Sequence, residues 1–259
     1  MANIVKNWKR FMAIGCSHGI YEDSSAVAAM LKWCADFKPH TKSHLGDFMD
    51  TTAFRGGATG SPDESVSIRE DGRAAKALFD AYEPDLIFIG NHEDRLWKLR
   101  HHSKEIVKLA AQTIIDSIED MAEKHHAELV PYSGIADSNS WRLLGGTAFG
   151  HGYIYNVNAC RDTAEYMGRD VVFAHTHTVK QQKGRCIGSP TGYCVGTLCR
   201  IPAMAYAKSR RATAGWAMGW AYGEYAKGGQ GCHVNLYELR RSDAETTIPT
   251  AKCAKRSNR

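Results

Sequence analysis

Residues 85–93 read DLIFIGNHE, an apolar run that leads directly into glycine, asparagine, histidine and glutamate. A continuous apolar run of this length predicts a short strand that is covered on both faces of a sheet. Polar side chains placed just after such a strand lie at the edge of the sheet, where connecting loops converge into a site. The stretch therefore predicts a buried sheet with functional side chains at its carboxyl edge.

Four other polar clusters follow apolar stretches in the same way. They are Cys16-Ser17-His18, Gly46-Asp47-Phe48-Met49-Asp50, Gly150-His151-Gly152 and Ala174-His175-Thr176-His177. A single histidine pair is more often structural, but five clusters at five strand ends favour one shared site. Imidazoles, a carboxylate and an amide oxygen form a ligand set suited to zinc, iron or manganese. On an extended segment, His175 and His177 would project to the same side and address two ions lying side by side.

The stretches between these clusters predict the remaining architecture. Apolar side chains recur at helical spacing over residues 27–37, 75–82 and 107–121, which predicts three helices. Ser24 or Ser25 is the expected cap of the first helix, and Glu83-Pro84 is expected to end the second. Further strands are expected at residues 10–15, 129–130, 141–144, 147–149, 170–174, 194–201 and 232–239, with one long loop at residues 51–73. Alternating strands and helices followed by a strand-rich half predict stacked sheets with helices outside.

The composition excludes disordered, collagen-like and membrane-spanning chains. The 259 residues include 33 Lys+Arg, 28 Asp+Glu and eight cysteines, and no apolar run approaches the length of a membrane span. We expect a single domain over residues 1–259, a cytoplasmic location, reduced thiols and a flexible basic tail at residues 251–259. The net charge of +5 and this tail leave a nucleic-acid partner open, whereas no membrane partner is expected. The oligomeric state is not predicted.

Taken in order, the five clusters resemble the signature of the calcineurin-like metallophosphoesterase family, which runs D-x-H, G-D-x-x-D, G-N-H-[DE], G-H and G-H-x-H. The second and third blocks are intact in this chain, at residues 46–50 and 90–93. Cys16 stands where the family has a metal-binding aspartate, and Ala174 stands where it usually has glycine. The resemblance implies a four-layer αββα sandwich of the α+β or α/β class, built on two mixed β-sheets.

The resemblance also implies a dinuclear metal centre with two divalent ions, which we expect to be manganese, zinc or iron. One ion would be held by Cys16, His18, Asp47 and His177, and the other by Asp47, Asn91, His151 and His175. Asp47 would bridge the pair. The family further implies that His92 protonates the leaving oxygen and that Asp50 orients His92.

Elementary chemistry agrees with these roles. Two neighbouring divalent ions lower the pKa of a shared water and clamp the oxygens of an in-line displacement. One carboxylate and one thiolate leave a surplus of positive charge that suits a phosphate group. A Cys16 thiolate would keep the charge of aspartate while favouring zinc or iron over magnesium. The alternative is that Cys16 is a small buried residue and the first ion is weakly held.

The sequence thus predicts a metal-dependent phosphoesterase, a phosphatase or phosphodiesterase acting on a phosphate-ester substrate. Arg95 is a candidate phosphate ligand, with a surface ion pair to Glu93 or Asp94 as the alternative. Substrate choice is assigned to residues 51–73 and the last third of the chain. A DNA- or RNA-directed nuclease is the first alternative function, favoured by the net charge, the basic tail and four aromatic residues late in the chain. These residues would either stack on bases or pack in the core: Trp216, Trp220, Tyr222 and Tyr225. The second alternative is a non-catalytic scaffold that has lost its first metal.

Overall fold

The computed structural model describes residues 7–201, 215–229 and 231–240, and the tail predicted at residues 251–259 lies outside them. The strands of this range are β1 (Trp8–Ile14), β2 (Thr41–His44), β3 (Leu86–Phe88), β4 (Glu128–Val130), β5 (Arg142–Leu144), β6 (Thr147–Gly150), β7 (Val171–Phe173), β8 (Val179–Lys183), β9 (Thr191–Val195), β10 (Gly219–Ala226) and β11 (Cys232–Glu238). Its α-helices are α1 (Ser24–Phe37), α2 (Ile68–Tyr82), α3 (Asp94–Leu99), α4 (Glu105–Lys124) and α5 (Ala159–Met167).

The strands form two mixed sheets. The six-stranded sheet has the order β11-β10-β1-β2-β3-β4, in which β1 to β4 are parallel, while β10 is antiparallel to both of its neighbours. The five-stranded sheet has the order β5-β6-β7-β9-β8, in which β6, β7 and β9 are parallel. Because parallel strands run in one direction, their carboxyl ends lie along one edge of each sheet.

Three apolar clusters hold four layers together. Between the sheets, the rings of Phe11 on β1 and Phe149 on β6 are fully buried, with centroids 5.0 Å apart. Helices α1, α2 and α4 cover the other face of the six-stranded sheet through a cluster that includes Trp33 and Phe79. Helix α5 covers the other face of the five-stranded sheet through Cys160 and its neighbours. The predicted αββα sandwich with two mixed sheets is therefore confirmed.

Most of the predicted elements are confirmed, with small shifts at their ends. The three predicted helices correspond to α1, α2 and α4, and the strands expected at residues 141–144 and 147–149 are β5 and β6, which form a hairpin. Gly145 and Gly146 have φ values of 57° and 92°, which a tight turn between antiparallel strands requires. The predicted cap of α1 is wrong, because the cap is Asp23, whose carboxylate accepts hydrogen bonds from the amides of Ser25 and Ala26.

Other expectations about the elements are wrong. Residues 51–73 are not one long loop, because α2 begins at Ile68 and is capped by the hydroxyl of Ser67, which accepts from the amide of Glu70. The strand expected at residues 194–201 lies earlier, as β9. Strands β8 and β10 and helix α5 were not predicted; the polar sequence VKQQK of β8 is that of a partly exposed edge strand.

The late aromatic residues divide into two sets. Trp220 is buried, and Tyr222 packs against Trp33 with ring centroids 4.6 Å apart, so core packing is confirmed for this pair of β10 residues. Trp216 lies apart from them, with its ring centroid 4.2 Å from that of His177. Tyr225 is partly buried and packs against the cluster between the sheets, so of the four residues only Trp216 lies beside the predicted site.

Two expectations from composition concern cysteines and membranes. The seven cysteines within the described residues form no disulfide. In the same part of the chain, no helix combines the length and the apolar character needed to cross a membrane.

Candidate metal centre

Loops at the carboxyl edges of the two sheets carry the predicted site residues. Cys16 and His18 follow β1, Asp47 and Asp50 follow β2, Asn91 and His92 follow β3, His151 follows β6, and His175 and His177 follow β7. All of these side chains are buried except those of Asn91 and His175, which are partly buried. The structure brings all nine residues into one region between the two sheets.

Cys16, His18, Asp47 and His177 form the first group of potential metal ligands, with one ligand atom of each within 4.8 Å of the others. Nε2 of His18 lies 3.0 Å from Nε2 of His177. Nδ1 of His18 lies 2.9 Å from Oδ1 of Asp50. Because an ionised carboxylate only accepts, Nδ1 of His18 carries the proton, and the lone pair on Nε2 is directed into the group.

Asp47, His151 and His175 form the second group, also with ligand atoms within 4.8 Å. Nε2 of His151 lies 3.3 Å from Oδ2 of Asp47 and 3.0 Å from Oδ1 of Asn91. Nδ1 of His151 lies 2.7 Å from the carbonyl oxygen of Leu45, to which it donates. Asp47 belongs to both groups, so a single carboxylate has a ligand position in each.

His92 and Asp50 form a hydrogen-bonded pair next to the first group. Nδ1 of His92 lies 2.9 Å from the carbonyl oxygen of Asp50 and 3.0 Å from its Oδ1. Nε2 of His92 faces Asp47, at 3.9 Å from Oδ2. Since the same Asp50 carboxylate also contacts His18, one side chain fixes the orientation of two imidazoles.

Three of the histidines are neutral. Burial lowers the pKa of His18, and burial, followed by the unfavourable interaction of a second positive charge beside His18, lowers that of His177 well below its usual range. Burial and the charge of His151 lower the pKa of His175 to about 4. Nδ1 of His175 and Nδ1 of His177 are buried and have no hydrogen-bond partner among the described residues. Neutral imidazoles with unused ring nitrogens are the donors that a divalent ion requires, so these residues fit a metal centre.

The other two histidines of the centre are held near a negative charge. Burial is the largest effect and lowers the pKa values of His92 and His151, but the Asp47 carboxylate, together with the hydrogen bonds of His92 to Asp50 and of His151 to Asp47 and the Leu45 carbonyl, raises both above the ordinary value. Burial would likewise raise the pKa of Asp47, but the charges of His151 and His92 keep it well below its usual range. Asp47 is therefore an anion, and His92 holds a proton to a higher pH than an ordinary histidine.

Cys16 lies where a metal ligand is expected. Its Sγ accepts a hydrogen bond from the amide of His175 at 3.3 Å. Burial, followed by the charge of Asp47, raises the pKa of the thiol well above its ordinary value. A thiol in these surroundings would ionise only with a cation beside it.

Five of the candidate ligands have left-handed backbone conformations: Cys16, His18, Asp47, His175 and His177, with φ between 52° and 63°. This region is unfavourable for residues other than glycine, and such strain persists where the surroundings enforce it, often at functional sites. The expectation that His175 and His177 lie on an extended segment is therefore wrong. Their side chains nevertheless enter different groups, the second and the first respectively.

Glu93 belongs to the intact third block but was predicted only as a possible ion-pair partner of Arg95, whereas its carboxyl group contacts backbone amides. Its buried carboxyl group accepts hydrogen bonds from the amides of Asp47, Met49 and Gly90 at 3.0, 2.7 and 2.8 Å. Burial and the charge of Asp47 raise the pKa of Glu93 to about 7. Glu93 thus ties the loop after β2, which carries Asp47, to the loop after β3.

The role of Asp71 on α2 was also not predicted, because no motif in the neighbouring sequence indicates it. Its buried carboxylate accepts hydrogen bonds from the amides of Ile20, Asp50 and Thr51 at 3.3, 3.3 and 2.8 Å. Burial raises the pKa of Asp71 to about 6, even though these amides act in the opposite direction. Asp71 therefore joins the loops that position His18 and Asp50.

Arg95 lies at the start of α3, against the loop after β2. Its Nη1 donates to the carbonyl oxygen of Asp50 at 2.9 Å and to the hydroxyl of Thr51 at 3.3 Å. Asp94, one of the two expected ion-pair partners, pairs instead with Lys98 at 2.6 Å. Arg95 and His92 thus contact the same carbonyl group, that of Asp50.

The fold is similar to those of several solved structures. A metallophosphoesterase from Sphaerobacter thermophilus shares 13% identity, covering 90% of this chain and 89% of that chain, with a TM-score of 0.44. The phosphoesterase Yfce from E. coli shares 13% identity over 89% and 100% of the two chains, with a TM-score of 0.39. A conserved protein described as a predicted phosphoesterase from Streptococcus pneumoniae shares 11% over 92% and 99%, with a TM-score of 0.35. No protein-family model and no curated protein sequence matches the chain.

Proposed function

We propose that this protein is a metal-dependent phosphoesterase of the calcineurin-like type, which hydrolyses a phosphomonoester or a phosphodiester. The position of Asp47 carries this proposal. Its buried carboxylate, 1% exposed as a residue, belongs to both groups of candidate ligands. A carboxylate shared between two sets of imidazoles suits two adjacent divalent ions, which is the arrangement used for in-line displacement at phosphorus.

We assign seven residues to the two ions as ligands. Cys16, His18, Asp47 and His177 would hold the first ion, and Asp47, Asn91, His151 and His175 the second. When bound, manganese, zinc or iron would supply Lewis acidity toward water and the phosphoryl oxygens. The protein contributes the fixed positions of the ligands, since Asp50 orients His18 and the Leu45 carbonyl orients His151.

His92 is the proposed general acid. Nδ1 of His92 is hydrogen-bonded to Asp50, so the proton that His92 transfers is on Nε2, which faces Asp47. The raised pKa of His92 keeps this proton bound near neutral pH, where a leaving alkoxide requires it. After transfer, the contact with Asp50 keeps the ring in place for reprotonation.

Arg95 is the proposed contact for a non-bridging phosphate oxygen. Its bonds to Asp50 and Thr51 hold the guanidinium group beside the loop that orients His92. A planar guanidinium with several donors is well suited to phosphate oxygens. The proposal therefore places the ester between Arg95 and the two groups of ligands.

The test combines metal analysis with hydrolysis. Purified protein is stripped with a chelator, reloaded with manganese, zinc, iron or magnesium, and assayed on p-nitrophenyl phosphate, bis(p-nitrophenyl) phosphate and single-stranded DNA. We expect chelation to abolish hydrolysis and manganese, zinc or iron to restore it. Asp47→Asn should lose both metal and activity, whereas Asp36→Asn, at an exposed position of α1, should keep both.

Other results would favour the alternatives. Metal-dependent cleavage of DNA without turnover of the aryl esters would favour a nuclease. Protein that binds no metal and hydrolyses nothing would favour a scaffold. Hydrolysis that is unchanged in Asp47→Asn would refute the proposed centre.

A further inference from the structure

The carboxylate of Asp50 has a third donor besides the two histidines that it orients. Its Oδ1 lies 2.9 Å from Nδ1 of His18 and 3.0 Å from Nδ1 of His92, so a single oxygen serves both rings. Its Oδ2 accepts a hydrogen bond from the hydroxyl of Thr52, a buried residue that follows the second sequence cluster. The carboxylate is therefore held at both of its oxygens.

The orientation of this carboxylate matters because the Nδ1 proton of His92 has two acceptors within Asp50. Nδ1 lies 2.9 Å from the carbonyl oxygen of Asp50 and 3.0 Å from Oδ1. Since Oδ1 also accepts from His18, rotation of the carboxylate would leave His92 bonded to the carbonyl alone. A hydrogen bond to a carboxylate is stronger than one to a neutral carbonyl. The hydroxyl that holds Oδ2 thus decides which acceptor orients the ring of His92.

The backbone around Thr52 is itself fixed by distant residues. Thr51, which precedes it, has a left-handed conformation with φ of 50°. The amide of Thr51 donates to Oδ2 of Asp71 at 2.8 Å, and its hydroxyl donates to the carbonyl oxygen of His92, also at 2.8 Å. These bonds tie the turn to α2 and to the loop after β3. The hydroxyl of Thr52 therefore has an enforced position relative to both Asp50 and His92.

We propose that Thr52 is a positioning residue for the general acid and acts through Asp50. Its hydroxyl holds Oδ2 and thereby keeps Oδ1 directed at His92 as well as at His18. The inference rests on the proposed function, in which His92 is the proton donor. It adds a residue outside the five sequence clusters to the arrangement that orients this donor.

Replacement of the hydroxyl by a methyl group tests this role. Thr52→Val keeps the shape of the side chain and removes the donor to Asp50. Because a hydrogen bond to a buried charged group is lost, kcat should fall roughly tenfold for phenyl phosphate, or for the corresponding diester, with KM little changed. The p-nitrophenyl ester, whose leaving group needs no proton, should lose less. Thr52→Ser keeps the hydroxyl and should retain most of the activity.

A buried threonine elsewhere in the fold provides the matched control. Thr163 on α5 is fully buried, and its hydroxyl has no hydrogen-bond partner among the described residues. Thr163→Val therefore makes the same exchange without removing a bond, and its kinetics should match those of the natural protein. If Thr52→Val does not fold, as judged by circular dichroism, Thr52→Ala serves the same comparison, since it removes the hydroxyl without placing a methyl group against Asp50.

A second measurement needs no activity. The Nδ1 proton of His92 is followed by proton–nitrogen correlation NMR in chelator-treated protein, and its signal is identified by its absence from His92→Ala. The frequency of this proton depends on its acceptor. Thr52→Val should therefore shift the signal, whereas Thr52→Ser and Thr163→Val should leave it close to its natural position.

The outcomes separate this inference from the proposed function. Hydrolysis that Thr52→Val leaves intact, or lowers equally for both esters, would overturn the role of Thr52 and leave the phosphoesterase proposal standing. An unshifted His92 signal in Thr52→Val, or equal impairment of Thr52→Ser and Thr52→Val, would overturn it as well. A shifted signal in a protein that hydrolyses no ester would support the orientation of His92 by Thr52 and refute the catalytic proposal.

Discussion

Nε2 of His18 and Nε2 of His177 lie 3.0 Å apart, although 159 positions separate the two residues in the chain. His18 follows β1 of one sheet and His177 follows β7 of the other, so this contact joins the two sheets at their carboxyl edges. Both rings are neutral, because burial lowers their pKa values. Two imidazole nitrogens directed at one another can share a single proton, whereas a cation between them would satisfy both lone pairs.

This relationship predicts that metal stabilises the fold as well as the site. An ion that binds only the folded chain adds about 2.7 kcal/mol to the free energy of unfolding at a concentration of about 100 times Kd. We therefore expect a chelator to lower the melting temperature and zinc or manganese to restore it, measured by circular dichroism. His101→Ala, at an exposed position between α3 and α4, should respond to metal as the natural protein does. A melting temperature that is insensitive to chelator and added metal would contradict the prediction.

Replacement of Cys16 distinguishes a metal ligand from a packing residue. Cys16→Ala should lower the metal content by about one ion per chain and reduce hydrolysis, because the first group then keeps only three donors. Cys16→Asp should retain activity with a greater preference for manganese or magnesium, since a carboxylate is a harder ligand than a thiolate. The φ of 52° at this position also suits aspartate, which adopts left-handed conformations more readily than most residues. Unchanged metal content in Cys16→Ala, or an inactive Cys16→Asp protein, would count against the assignment.

The sequence predicts those features of the fold and the site that depend on a short stretch of neighbouring residues. Apolar runs such as DLIFIG mark buried strands, and the polar residues that follow them, including Asp47 and His92, occupy the sheet edges as predicted. Stacked sheets with helices outside follow from the same pattern, since alternating strands and helices must bury one face of each sheet under helices. The four layers and the division of the candidate ligands into two groups were instead implied by the resemblance to the metallophosphoesterase signature.

Features that depend on distant partners could not be predicted. The hydrogen bonds of Asp71 reach amides that are 51, 21 and 20 positions away, so nothing near Asp71 in the sequence reveals its role. The left-handed conformations of His175 and His177 likewise result from their surroundings, since a positive φ is uncommon for any residue other than glycine. The missed strand β10 pairs antiparallel with β1, more than 200 residues earlier, and its identity as a strand depends on that pairing.

His92→Ala tests the proposed general acid. Loss of a positioned proton donor should reduce turnover roughly 10²- to 10⁴-fold, whereas metal content should not change, because His92 is not an assigned ligand. A substrate whose leaving group needs no proton, such as a p-nitrophenyl ester, should be less affected than an alkyl ester. Equal losses on both substrates, or loss of metal, would show that His92 has another role. His101→Ala again provides the control.

Gly90→Ala tests how closely the loops after β2 and β3 pack. A Cβ atom at this position would overlap both the carboxylate oxygen and the backbone nitrogen of Asp47. Because the nitrogen belongs to the main chain, Asp47 must move, and we expect a loss of stability of about 1–3 kcal/mol together with weaker metal binding. Gly56→Ala is the matched control, since its Cβ would meet no atom within 4 Å and stability should change by less than about 0.5 kcal/mol. Equal effects of the two substitutions in urea unfolding would refute this account.

His44 gives the protein a predictable sensitivity to acid. Its ring is fully buried between Phe48 and Phe79, with Nε2 at 3.1 Å from the hydroxyl of Ser17, and burial lowers its pKa from 6.5 to about 3. At a pH between these two pKa values, His44 binds a proton in the unfolded chain but not in the folded chain. The free energy of unfolding therefore falls as the pH falls. From pH 7 to pH 5, the titration of His44 should lower the free energy of unfolding by about 2 kcal/mol.

His44→Gln removes this titration while keeping a polar side chain. The decrease in the free energy of unfolding from pH 7 to pH 5, measured by urea denaturation, should therefore be about 2 kcal/mol smaller in His44→Gln than in the natural protein. The variant is expected to be less stable at pH 7, because glutamine packs less well against the two phenylalanine rings. The informative quantity is the difference between the two pH values, since the other histidines contribute equally to both proteins. If His44→Gln loses as much stability on acidification as the natural protein does, His44 is not a neutral buried group.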